Sequence, residues 1–167
     1  MVTRTHESAN TKLKLYLTVL AIMAVIMGAF TTPYMAFASY SYWLLCVGLW
    51  FRKTPQFHAT LMSFGILIDI ALVLVLQIKR SAIQEAMSFS LMPIQQAHIV
   101  FSTLALILYF PTLYLGFKLM KLRKTEQTGP EYLKTRKVHR VLGLFAFGLR
   151  TVGFFLMFSM LSHVKQA

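Results

Sequence analysis

Two apolar runs in this 167-residue chain each open on a histidine and carry one ionisable residue eleven positions further on. His58 is followed by Asp69, and His139 by Arg150. In a helix, eleven residues rise about 16 Å, and eleven steps of about 100° return to within about 20° of the start. Each charge therefore lies on its histidine's face, near the midplane of a bilayer. An isolated ion there is costly, and intramembrane ions usually pair or line a cavity. The spacing predicts an intramembrane ion pair between Asp69 and Arg150, with His58 and His139 facing each other at the inner surface. His98, near the start of a further run, and His163, at the end of the last, form a candidate outer level.

Neutral imidazoles projecting from facing helices are the usual axial ligands of b-type haem, and helix bundles are common hosts. His58, His139, His98 and His163 are thus the candidate cofactor-binding residues. Copper is the alternative. Met62 lies four residues after His58, on the same helix face, and a thioether with imidazoles suits that metal. The candidate metal ligands are then His58, His139 and Met62. The plain reading stands beside both. A histidine at a membrane boundary is commonly a polar boundary residue, and in a chain with ten methionines most are packing.

The elements that must position these residues are membrane spans. The chain is 57% hydrophobic and 13% charged, where soluble domains carry roughly 25% charge. Five apolar runs stand out, at about 15–30, 35–51, 59–78, 94–117 and 141–161. The net charge of +12 would suggest nucleic acid in a soluble protein, but the basic residues cluster between apolar runs. The positive-inside rule accounts for them, and no nucleic-acid partner is expected. With the N-terminus inside, 13 of the 17 basic residues fall on inside segments. Three (Lys79, Arg80, Lys165) fall outside, and Arg150 lies within the last run. The expected fold is all-α: one integral membrane bundle over 1–167, with five transmembrane helices, N-in and C-out. Its immediate partner is the lipid bilayer. A cleavable leader ending at AFA before Ser39 is the alternative for the first run.

Punctuation between the runs is sparse. Pro33 separates the first two, and Gly129-Pro130 marks a turn with Pro130 at the first position of a helix leading to His139. Segment 80–96 is mildly amphipathic and suits a membrane surface. Pro111 should kink the fourth helix, with Ser102, Thr103 and Thr112 available to satisfy the freed backbone. Gly143, Gly148 and Gly153 mark a thin face on the fifth helix. The one cysteine, Cys46, allows neither an internal disulfide nor a Cys-x-x-Cys motif.

The stretches FHATLM (57–62), QQAHIVFSTLALILYFPTLYLG (95–116) and KVHRVLGLFAFGLRTVGFFLMFSM (137–160) resemble a family of small bacterial membrane proteins tied to assembly of haem–copper terminal oxidases. The resemblance covers about 33–160. It implies histidines opening the third helix, near the start of the fourth and opening the fifth, which are His58, His98 and His139 here. A histidine frequent in that family at the outer end of the third helix is replaced by Lys79-Arg80, leaving His163 as the outer candidate. There is a looser likeness to two-haem transmembrane b-type cytochromes.

Three functions follow as expectations. The first is a respiratory accessory or oxidase-assembly protein of the bacterial inner membrane, holding haem or copper near the inner face and meeting other respiratory proteins. The second is a b-type cytochrome exchanging electrons with quinone. The third is a cofactor-free structural subunit. Transport through Asp69 and Arg150 is a thinner fourth reading. Hydrolytic or acid–base enzymology has little to stand on: the five acidic residues are far apart, and no serine has a base and elbow.

Overall fold

The computed structural model describes residues 30–80, 84, 92–125 and 129–158, with scattered residues between 11 and 26. The described residues form helices and no strand. Four helices have defined bounds: α1 (Pro33–Trp50), α2 (Pro55–Arg80), α3 (Pro93–Thr125) and α4 (Pro130–Met157). The first apolar run, segment 80–96 and His163 lie wholly or largely outside the described residues.

All four helices begin at a proline. Proline lacks the N–H that an opening helical position cannot use, and its fixed φ suits that position. Thr32 caps α1, its Oγ1 accepting from the Met35 N–H at 3.4 Å. At the start of α3 the buried Gln95 reaches back, its Oε1 accepting from the Met92 N–H at 3.2 Å. Glu131 in the first turn of α4 complements the helix dipole.

Among the described residues, three helices are long and apolar enough to cross a membrane: Pro55–Lys79, Pro93–Thr125 and Pro130–Met157. α1 is not among them. It is the shortest of the four, at 18 residues, and carries Ser39, Ser41 and three tyrosines. α3 and α4 extend well past the apolar runs that mark them in the sequence. Leu, Lys and Arg are good helix formers, so the helix continues after its apolar content ends.

The chain divides into two compact units, 1–72 and 73–167. In the first, α1 and the beginning of α2 pack antiparallel around Leu44 and Leu61, joined by Tyr40, Val47, Phe51 and Ile68. Glycines bring the two backbones close. A Cβ on Gly48 would lie 2.9 Å from Met62 Sδ, and one on Gly65 would lie 2.9 Å from Leu45 Cδ2. In the second unit α3 and α4 pack antiparallel along their length. Ala105, Tyr109, Ala146 and Phe154 are buried there, and a Cβ on Gly153 would meet Ser102 Oγ at 2.7 Å. Gly143 also faces α3, where a Cβ on it would lie 3.6 Å from Thr112 Cγ2, whereas Gly148 is exposed and a Cβ there would meet nothing within 4 Å. The thin face therefore uses two of its three glycines.

Candidate functional site

Three of the four candidate histidines are described, and all three use one ring nitrogen in the same way. His58 Nδ1 donates to the Gly48 carbonyl at 2.8 Å. His139 Nδ1 donates to the Thr112 carbonyl at 3.2 Å. His98 Nδ1 donates to the Gly153 carbonyl at 2.7 Å. A carbonyl only accepts, so Nδ1 carries the proton in each ring, and in the neutral imidazole Nε2 keeps the lone pair. All three rings are half-buried, each reaching from its own helix to the helix packed against it.

Local structure explains the acceptors. Gly48 lies near the end of α1, where the last carbonyls have no intrahelical partner. The Arg52 N–H turns back to the Leu49 carbonyl at 3.3 Å, and His58 takes the Gly48 carbonyl. Gly116 gives His139 room to reach Thr112, since a Cβ there would stand 3.4 Å from the ring's Cε1. Thr112 follows Pro111, and its own hydroxyl donates back to the Leu108 carbonyl at 2.7 Å. This bond falls one position from the Ile107 carbonyl, which loses its usual helical donor at Pro111, so the compensation expected of Thr112 does not reach the freed group. Ser102 makes no such bond; its Oγ is buried without a hydrogen-bond partner.

His98 and His139 occupy two levels of one helix pair. His139 lies opposite Thr112, which is fourteen residues along α3 from His98, or about 21 Å. They are separate sites, as the inner and outer levels in the sequence suggest.

Asp69 and Arg150 are both buried, at 7% and 6% exposure. Asp69 belongs to the first unit, where Ser41 Oγ lies 2.5 Å from its Oδ1 and 3.1 Å from the Gly65 carbonyl. One hydroxyl proton serves the shorter contact, and a hydroxyl–carboxylate bond of that length is a strong one. Ser41 is itself fully buried. Arg150 belongs to the second unit, on α4.

Met62 lies on the His58 face as its spacing requires, with its sulfur packed against Gly48. Gly48 thus receives both side chains, one by hydrogen bond and one by packing. Among the described residues no group of three or more His, Cys, Asp or Glu comes together. Cys46 is half-buried and lines an open apolar cleft with Tyr16, Trp43 and Trp50. At the polar end of the second unit Lys118 and Glu131 pair at 2.8 Å, tying the end of α3 to the start of α4.

Residue-type reasoning passes over Ser41, Gly48, Gly65, Gly116 and the carbonyl of Thr112. A signal existed for three of them. Ser41 and Gly48 are seven residues apart, as are His58 and Gly65, a spacing that keeps both members of each pair on one helix face.

No family model matches the chain, and neither does any curated protein or solved structure.

Proposed function

We propose that the protein is a multi-pass helical accessory protein of the bacterial cytoplasmic membrane, N-in and C-out, serving assembly of haem–copper oxidases. In this reading the inner-level histidines His58 and His139 are candidate haem ligands. The observation that carries it is the shared setting of the two rings. Ligating histidines almost always donate their second ring N–H to a carbonyl or carboxylate, which fixes the tautomer and raises ligand basicity. His58 and His139 both do so. Haem is favoured over copper because the Met62 thioether is engaged in packing on Gly48. When bound, haem supplies a one-electron store at the membrane surface. The chain's own part is to hold each imidazole oriented and partly shielded from water.

A second reading is supported by the same geometry. His58 satisfies an end-of-helix carbonyl that would otherwise lack a donor, which a cofactor-free structural subunit also needs. Purified protein in mild detergent separates the two. A sharp reduced α-band with roughly stoichiometric iron, in oxidised and dithionite-reduced spectra, is the expected result. A colourless, iron-free sample that also fails to take up added haemin would leave the structural subunit.

A further inference from the structure

We infer that the polar end of the α3–α4 hairpin, the second in the chain, is a docking surface for anionic phospholipid headgroups. Lys134, Arg136, Lys137 and Arg140 on α4 build it, with Lys121 on α3. The inference goes beyond the function proposed above and needs only that α3 and α4 cross a bilayer.

Positive charge between two spans satisfies the positive-inside rule whether it sits in a loop or in a helix. Here it stands on helix, since α3 runs on to Thr125 and α4 starts at Pro130. All five side chains are exposed, and none has a hydrogen bond or ion pair among the described residues. The described carboxylate at this end, Glu131, is taken by Lys118 at 2.8 Å. Arg123 and Lys124 lie in the last turn of α3, where the helix dipole favours cations. No such account covers α4. Lys134 with Lys137, Lys137 with Arg140, and Arg136 with Arg140 are three or four residues apart, where like charges repel. An anionic ligand across these residues would remove that repulsion.

Placement selects the ligand. At about 100° per residue the four cations of α4 spread over about 160° of its circumference. The buried Thr135 and the half-buried His139 lie on the remaining arc. Val141 and Leu144, 62% and 45% exposed, continue the cationic arc, so this face turns from charged to apolar at one height. Lys134 to Arg140 spans about 9 Å. A headgroup layer is about 5–8 Å deep on each side of the hydrocarbon core. With Val141 and Leu144 in lipid, the flexible stems of these cations reach the phosphates. Leu133, 54% exposed, falls within the same arc. Apolar and cationic side chains on one helix face suit the boundary between headgroups and acyl chains. A nucleic-acid backbone would offer the charge without the apolar contact, and a soluble acidic protein would have to enter the headgroup layer to reach Arg140.

Thermal unfolding of the full chain in dodecylmaltoside, with phosphatidylglycerol or phosphatidylcholine added at equal mole fraction, tests the surface. Phosphatidylglycerol should raise the melting temperature and phosphatidylcholine should not, and about 0.5 M salt should erase most of the difference. Each basic residue at an anionic surface is worth roughly fivefold in affinity. Lys137→Gln with Arg140→Gln should therefore raise the phosphatidylglycerol fraction for half-maximal stabilisation by roughly 25-fold. Without lipid the same variant should unfold no earlier than wild type, because two repelling charges are gone. Arg52→Gln with Lys53→Gln removes an exposed basic pair outside the hairpin and should leave the half-maximal fraction unchanged. Equal stabilisation by the two lipids, an unchanged fraction in the hairpin variant, or the same loss in the Arg52 and Lys53 variant would overturn the inference. So would a hairpin variant that unfolds earlier than wild type without lipid, since the cations would then serve the fold. A larger shift from polyglutamate or duplex DNA than from phosphatidylglycerol at equal charge would put a soluble polyanion there and overturn the lipid assignment.

Discussion

Ser102 and Gly153 show how little room the second hairpin leaves around its outer histidine. The Ser102 hydroxyl is buried without a partner, which costs on the order of 1–3 kcal/mol. It lies 2.7 Å from where a Cβ on Gly153 would stand, and the Gly153 carbonyl accepts from His98. Ser102→Ala should therefore be neutral or stabilising by up to about 1 kcal/mol in thermal unfolding in detergent. Gly153→Ala should destabilise by about 1–3 kcal/mol, because the new methyl also meets the Ser102 backbone N at 3.4 Å. The double variant should recover part of that loss. A harmless Gly153→Ala would mean that α3 and α4 stand further apart than these distances require.

At the scale of elements, α1 and α2 are held by a polar contact inside an otherwise apolar interface. Ser41 donates to Asp69 and lies near the Gly65 carbonyl, where Gly65 already lets the helices approach. Ser41→Ala takes that donor from a buried carboxylate and should cost about 1–3 kcal/mol. Ser41→Cys, with a weaker donor of similar size, should fall between. Equal stability of the alanine variant and wild type would show that the hydroxyl contributes nothing to Asp69. The helix starts are legible in the sequence because proline marks all four. The helix ends are not. Hydropathy reports where lipid contact stops, and α3 runs on through Lys121, Arg123 and Lys124 to Thr125.

At the scale of the whole molecule, the pairing of Asp69 with Arg150 is an expectation from the sequence that mutation can test. A buried ion pair broken on one side typically costs about 3–5 kcal/mol. Arg150→Ala and Asp69→Asn should each be strongly destabilising, and the double variant milder than their sum. Coupling below about 0.5 kcal/mol in that double-mutant cycle would dismiss the pairing. The proposed orientation has its own check. Reporter fusions in 121–136 should read as cytoplasmic and fusions in 80–96 as the opposite side.

Composition, apolar run length and proline position determined by themselves that this is a helical chain with stretches able to cross a membrane. Those properties are local and additive along the sequence, so one chain suffices to read them. Residue type also picked out His58, His98 and His139, because imidazole is rare and chemically distinctive. What the rings do was decided only by tertiary structure. Their partners are main-chain carbonyls at Gly48, Gly153 and Thr112, and every residue carries a carbonyl. The choice among them depends on helix register and on which glycines allow close approach. Neither is written in any single residue.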